Sequence, residues 1–350
     1  VTNDGEINGS SGTITFSGTT DNSGTITASD GAVTFGETLN SGGITCSTTT
    51  TVFNGTVTVL TGGTITGSTG TAEFKSTVTN NGTITGGSGK ITFAQVTNNT
   101  AHKISGGDGE LLFSESVTND GEINGSSGTI TFSGTYGSST ATEATPAILK
   151  ASSGNTNFSS DADFSYTTFN ANGGIVLFSS TETTGQKVIL ANNTVSFNEI
   201  TIQTSAGGFT AEGTETGNLS AKKLTLASTN AGAVFNVPVT AETIENTGGS
   251  FNITFNAATK VSDITNPVIF GTTGMLTLGN DTTDTLTFAG GITHTQGNTT
   301  LCGKIITNSA EVTLSDNTNI KTLTLTGNSA VQTTGAGSGA AITLGSVSGM

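Results

Sequence analysis

Short alternations of apolar and polar residues recur through the first 135 residues of the chain at nearly constant spacing. In each repeat an isoleucine is followed nine residues later by a phenylalanine, and neighbouring repeats lie 18 to 21 residues apart. The period of two in Thr-Ile-Thr and Ile-Thr-Phe predicts short strands with apolar side chains inward and threonine outward. The repeated positions are Ile7, Ile26, Ile44, Ile65, Ile84, Ile104 and Ile123, with Phe16, Phe35, Phe53, Phe74, Phe93, Phe113 and Phe132. Residues 1–19 and 117–135 are identical in sequence.

The length of the repeat indicates how these strands are arranged. Two or three short strands per repeat, turned at glycine and asparagine, cannot bury their apolar side alone, whereas stacked copies can. We therefore predict an all-β fold, a parallel β-helix (solenoid) with coils of about 19–20 residues. A β-propeller is the main alternative, but its blades usually need about 40 residues or more, twice the observed period.

The strict period divides the chain into three parts. Residues 1–135 are predicted to form regular β-helix repeats. Residues 136–165 include Pro146 and lose the phase of both series, which predicts an irregular segment or a loop excursion. Residues 166–350 resume period-two strands with looser spacing, as from Phe178 to Phe197, and are predicted to form a less regular β-helix.

Composition and charge exclude several classes of protein. The chain of 350 residues has Lys+Arg 10 against Asp+Glu 25 and a net charge of −15, and it contains no arginine. A nucleic-acid partner is excluded because the chain offers no basic patch, and the acidity argues against docking on anionic membranes. Abundant threonine, glycine, asparagine and serine disfavour a helical bundle. No apolar run is long enough for a membrane-spanning helix, so none is expected.

The residues that could carry chemistry are scattered. Cys46 and Cys302 are 256 residues apart and are expected to be small buried groups without a bridge. His102 and His294 have no cysteine or histidine at ligand spacing, and both are expected in turns or on an outer face. The acidic candidates for calcium are Asp161 with Asp163, Asp281 with Asp284, and the single Gly106-Gly107-Asp108-Gly109, which we interpret first as solvated turns. We assign no catalytic, cofactor-binding or metal-binding residue and expect no enzyme activity and no cofactor, with calcium left open.

The threonine-rich strands leave an ice-binding protein open as an alternative. The positions after the inner isoleucines are regular: Asn8, Thr27, Thr45, Thr66, Thr85, Ser105 and Asn124. The positions before them are interrupted by charge: Glu6, Thr25, Gly43, Thr64, Thr83, Lys103 and Glu122. Threonine on an outer strand face is also common because of its strand propensity. A β-helical carbohydrate-active enzyme is the other alternative, and a clustered acidic cleft would support it.

Several repeat units resemble a known group of proteins. GSSGTITFSGT, Gly290-Gly291-Ile292-Thr293-His294-Thr295 and the stretch Ala341 to Val347 are similar to the β-strand repeats of bacterial surface proteins, including autotransporter passengers and filamentous-haemagglutinin-like adhesins. Phe169-Asn170-Ala171-Asn172 also fits the FxxN tetrad of some passengers.

The resemblance implies a right-handed β-helix at an extracellular, outer-membrane-associated location. The function it implies is that of a surface or structural protein, acting in adhesion, in assembly into a fibre or surface layer, or in both. The partners we expect are other copies joined end to end or the rest of a longer parent chain, because neither terminus shows a polar cap and uncapped solenoid ends would expose sheet edges. A receptor on a host or sister cell is the other expected partner.

Overall fold

The computed structural model describes residues 1–191, 193–214, 216–256, 261–315, 321–334 and 339–349. Within these ranges the regular elements are β-strands, and they pair in parallel as a β-solenoid of about 16 turns. The predicted all-β fold and parallel β-helix are thus confirmed. The solenoid has two compact units, Val1–Ile175 and Val176–Met350. Within the described ranges, no helix has the length and apolarity needed to cross a membrane.

In the first unit each coil contributes one strand to each of three series, named here by their characteristic inward residues. The Asn series contains Thr2–Asn3, Thr20–Asn22, Thr38–Asn40, Val57–Val59, Val78–Asn80, Val96–Asn98, Val117–Asn119, Tyr136–Gly137 and Ala162–Asp163. The Ile series contains Glu6–Asn8, Thr25–Thr27, Gly43–Thr45, Thr64–Thr66, Thr83–Thr85, Lys103–Ser105, Glu122–Asn124, Ala147–Lys150 and Thr167–Asn170. The Phe series contains Ile14–Phe16, Val33–Phe35, Thr50–Phe53, Thr71–Phe74, Ile91–Phe93, Leu111–Phe113, Ile130–Phe132 and Asn155–Phe158.

The two repeats read from the sequence form continuous columns in the interior of the first unit. Each repeated isoleucine pairs in register with the next, as Ile84 does with Ile104. The repeated phenylalanine rings stack with centroids 4.4 to 5.3 Å apart and planes within 15° of parallel. The column continues from Phe132 to Phe158 at 4.9 Å, so the stack outlasts the strict sequence period.

A column of buried asparagines, which the sequence analysis missed, lies beside the aromatic one. Asparagine Nδ2 donates to Oδ1 of the next coil: Asn3 to Asn22 (2.7 Å), Asn22 to Asn40 (2.7 Å), Asn80 to Asn98 (2.7 Å) and Asn98 to Asn119 (2.8 Å). Val59 occupies the corresponding position between Asn40 and Asn80. The amides also donate to main-chain oxygens of the Ile series, so the column joins two walls of the solenoid. Because buried amides must be paired, the column favours the observed register.

The part predicted to be irregular contains both strands and an excursion. Residues 138–146 lie between the strands Tyr136–Gly137 and Ala147–Lys150 and lengthen the step from Phe132 to Phe158 to 26 residues. The stretch 147–158 then rejoins the Ile and Phe series in register. The proposed boundaries at residues 135 and 165 stay predictions, whereas the compact units divide between Ile175 and Val176.

The second unit has longer strands and a less regular interior. Its strands, counting the one that spans the division, are Ile175–Phe178, Gln186–Ala191, Thr194–Thr204, Phe209–Gly213, Asn218–Thr229, Ala233–Phe235, Val239–Asn246, Ile253–Phe255, Val261–Ile264, Val268–Ile269, Leu276–Leu278, Thr285–Phe288, Ile292–His294, Thr299–Asn308, Val312–Leu314, Thr322–Thr334, Ile342–Leu344 and Ser346–Gly349. Phe235 and Phe255 stack at 5.0 Å and 10°, but Phe209 and Phe235 meet at 5.9 Å and 52°.

Candidate functional site

The start of the excursion at residues 138–146, within the first unit, is held by the carboxylate of Asp120. Asp120 follows a strand of the Asn series, and its side chain is 3% exposed. Its Oδ1 accepts the main-chain N–H groups of Ser139 (2.8 Å), Thr140 (2.9 Å) and Ala141 (3.2 Å). Its Oδ2 accepts the Ser139 hydroxyl at 2.8 Å. Four donors on one carboxylate fix the path of the chain as it leaves the coil.

These donors also stabilise the ionised carboxylate. Burial alone would raise the pKa of Asp120, but the hydrogen bonds from Thr140 and Ser139 outweigh it and hold the pKa below the usual 3.8. The tip of the excursion is closed by a pair of main-chain bonds between Thr142 and Thr145, each N–H to the other's oxygen at 3.2 Å. The excursion is therefore anchored at its start and tied at its tip.

A turn in the preceding coil, at residues 99–102, borders the excursion. The His102 N–H donates to Asn99 O at 3.1 Å, and Ala101 adopts φ 66°, the left-handed conformation that closes the turn. This turn projects the half-buried His102 side chain beside the excursion. Within the described ranges, no residue forms a hydrogen bond with the His102 imidazole nitrogens.

Between the turn and the excursion lies a cleft of about 350 Å³. It is lined by residues 100–103, by residues 120–122 of the next coil, and by Thr145, Pro146 and Ile148. Its volume is within the range of small-molecule sites. We call it the excursion cleft.

The excursion cleft combines paired charges with an apolar wall. Lys103 Nζ lies 2.9 Å from Glu122 Oε1, and the two side chains are 42% and 33% exposed. Pro146 and Ile148 supply the apolar wall, and Ile148 is 40% exposed on a face where its paired neighbours are Glu122 and Thr168. The cleft therefore presents hydrogen-bond donors and acceptors beside an apolar surface.

The expectation for His294 is wrong, because this histidine lies in the interior of the second unit. It is fully buried at the end of the strand Ile292–His294. Its Nδ1 is 2.9 Å from Thr299 Oγ1 and its Nε2 is 3.2 Å from Thr272 O. Since a carbonyl only accepts, Nε2 carries the proton and Nδ1 accepts from Thr299. Burial lowers the pKa of His294, so the neutral ring serves as a polar core residue.

Three of the predicted acidic candidates, Asp163, Asp281 and Asp284, accept hydrogen bonds within their own turns. Asp163 Oδ1 accepts the Ser165 N–H at 2.8 Å, and Asp281 Oδ1 accepts the Thr283 N–H at 2.9 Å. The interpretation as a solvated turn residue is wrong for Asp284, which is buried and whose Oδ2 accepts the N–H groups of Asn280 and Asp281. Within the described ranges no three His, Cys, Asp or Glu side chains cluster as metal ligands. The expectations on calcium and on the lack of a cofactor stay predictions.

The two cysteines are both free and buried. Burial raises the pKa of the Cys46 thiol to about 12, so it remains protonated and unreactive at neutral pH. Cys46 and Cys302 therefore behave as small apolar groups, as the sequence indicated.

Comparisons with protein-family models, with curated proteins and with solved structures found no match to this chain. The class of protein is thus defined by the fold alone, a parallel β-solenoid.

Proposed function

We propose that this chain is a bacterial surface or extracellular structural protein that acts by adhesion, by assembly into a fibre or surface layer, or by both. The observation that carries the proposal is the register of the first unit, where each coil repeats the same outward positions over continuous Phe and Ile columns and an Asn column that only Val59 interrupts among the described coils from Asn3 to Asn119. Weak contacts made at every coil would sum to useful avidity because a stiff core holds them in fixed geometry. The proposed role needs no catalytic step.

Electron microscopy of the purified chain across a concentration series tests assembly. Filaments of uniform width that lengthen with concentration would support the fibre role. Particles of constant size would contradict the fibre role. The adhesive role would then be tested by a bead assay. Beads coated with the chain should be retained on host or sister cells more steeply than in proportion to coating density, whereas beads coated with an unrelated acidic protein should not. Failure of both assays would contradict the proposal.

The surface location has its own test. Antibody against the chain should label intact cells that produce it, and protease treatment of those cells should remove the label. A label that appears only after the cells are permeabilised would contradict the proposed location.

Ice binding remains a second candidate because one outward row of hydroxyls is regular. Thr27, Thr45, Thr66 and Thr85 pair in register on four successive coils, at a spacing of about 4.8 Å between neighbouring strands. Thermal hysteresis that disappears in Thr66→Lys but persists in Thr118→Lys, on a different row, would favour this candidate. If the parent chain shows no thermal hysteresis, ice binding is excluded.

A further inference from the structure

We propose that the excursion cleft binds a neutral sugar unit of a glycan. The inference rests on the proposed adhesive function and names the ligand class for one site on the first unit. Its starting point is the ion pair between Lys103 and Glu122, which lines the cleft and is partly exposed.

The hydrogen-bonding capacity of this pair fits vicinal hydroxyl groups. An ammonium group has three donors and a carboxylate about four acceptor sites, and their mutual contact uses only one of each. A neighbouring pair of sugar hydroxyls can therefore accept from Lys103 and donate to Glu122 at the same time. His102 adds an imidazole whose nitrogens are not engaged by any described residue.

The apolar wall fits the C–H face of a sugar ring. Pro146 and the 40% exposed Ile148 line the same cleft as the ion pair, and Ile148 pairs in register with Glu122 on the neighbouring strand. The C–H face of a pyranose is apolar and buries such surface favourably, at about 25 cal/mol per Å². A volume of about 350 Å³ accommodates one or two sugar rings.

Charge selects neutral sugars over anionic ones. Lys103 and Glu122 neutralise each other, and the carboxylate of Asp120, which also lines the cleft, is ionised. The local charge is therefore negative, and the chain as a whole carries −15. A sialic acid or uronate would meet repulsion, so uncharged hexoses and N-acetylhexosamines are the expected ligands.

A matched pair of variants tests the proposal. The full chain is applied to an array of neutral oligosaccharides with sialylated and uronate-containing analogues, and the best neutral trisaccharide is then titrated by calorimetry. Glu122→Gln and Lys103→Met should each weaken its binding about tenfold or more, equivalent to about 1.4 kcal/mol. Glu6→Gln, which lies in the identical sequence of residues 1–19, should bind like the parent chain. Circular dichroism checks that all variants are folded.

Three results would overturn the inference: no neutral sugar binds, anionic analogues bind better, or Glu122→Gln binds as tightly as Glu6→Gln. Cell adhesion without an effect of Glu122→Gln would contradict the sugar site and leave the adhesive function standing. Sugar binding without adhesion or assembly would contradict the proposed function and leave the sugar site standing.

Discussion

Residues 1–19 and 117–135 have the same sequence but different surroundings. Both segments form three short strands in the same order, ending in Ile14–Phe16 and Ile130–Phe132. In the described chain the first segment pairs with one neighbouring coil, whereas the second pairs with coils on both sides. Phe16 is 7% exposed and Phe132 is 0% exposed. The local pattern thus selects the strands, and the neighbouring coils determine how deeply each side chain is buried.

The same residue types also acquire different partners in the two segments. Asp4 is exposed and accepts the Ser23 hydroxyl, whereas Asp120 is buried and holds the excursion. Glu6 accepts from its own strand neighbour Asn8, but Glu122 pairs with Lys103 of the preceding coil. A candidate site therefore arises at one copy of the sequence and not at the other.

Truncation of a phenylalanine in the aromatic column should give the largest difference in stability between the two segments. Phe132 stacks on Phe113 at 5.0 Å and on Phe158 at 4.9 Å, while Phe16 stacks on Phe35 alone among the described residues. Phe132→Ala should therefore lower the free energy of unfolding by about 3–5 kcal/mol, and Phe16→Ala by about half as much. Urea unfolding followed by circular dichroism measures both. Equal losses would show that the second stacking partner contributes nothing.

Glycine substitution should give the next largest difference. A Cβ at Gly128 would lie 1.8 Å from Gly109 O, whereas a Cβ at Gly12 would meet no atom within 4 Å. Gly128→Ala should cost up to about 3 kcal/mol because backbone must move, and Gly12→Ala should be nearly neutral. The same unfolding experiment applies. If Gly12→Ala were the more destabilising variant, close contact between coils would not explain why glycine occupies these positions.

Substitution of the carboxylate that anchors the excursion should give the third-largest difference in stability between the two segments. Asp120→Asn removes an ionised acceptor of four hydrogen bonds and should cost about 2 kcal/mol, whereas Asp4→Asn on the surface should change stability by less than about 0.5 kcal/mol. Hydrogen exchange should show lost protection of the amides of residues 139–141. Unchanged protection there would contradict the anchoring role.

The same anchor predicts a pH dependence. Because the pKa of Asp120 lies below 3.8 in the folded chain, its contribution is fully present above that pH and is lost as the pH falls through the lower folded value. Protection of residues 139–141 should thus decrease below about pH 3.8 in the parent chain. Asp120→Asn should lack this additional decrease, and a decrease of the same size in the variant would exclude Asp120 as its source.

The smallest difference should come from the exposed ion pair. Glu122→Gln should lower stability by about 0.5 kcal/mol at low salt and by less at high salt, because the pair with Lys103 is partly exposed and screened. Glu6→Gln should have no measurable effect. A loss above about 2 kcal/mol would mean that Glu122 is structural, and it would remove this variant as a clean probe of sugar binding.

The regular half of the fold could be predicted from the sequence because identical apolar residues recur at a fixed step. The buried asparagine column had a detectable signal too, since the tripeptide Val-Thr-Asn occurs at residues 1–3, 78–80, 96–98 and 117–119. It was missed because period-two reasoning places polar residues outside. His294 was placed outside for the same reason, since a lone histidine gives no sign of the threonine hydroxyl and carbonyl that satisfy its ring.

The sequence by itself determined the strands, the stacking repeat and the residues of the aromatic and aliphatic columns, because these depend on spacing along the chain. Only the tertiary structure decided that Asp120 is buried while Asp4 is exposed, and that Lys103, Glu122 and Ile148 border one cleft. The physical reason is that burial, ion pairing and cleft formation depend on side chains that approach from other coils. Two identical segments of sequence can therefore have different chemistry.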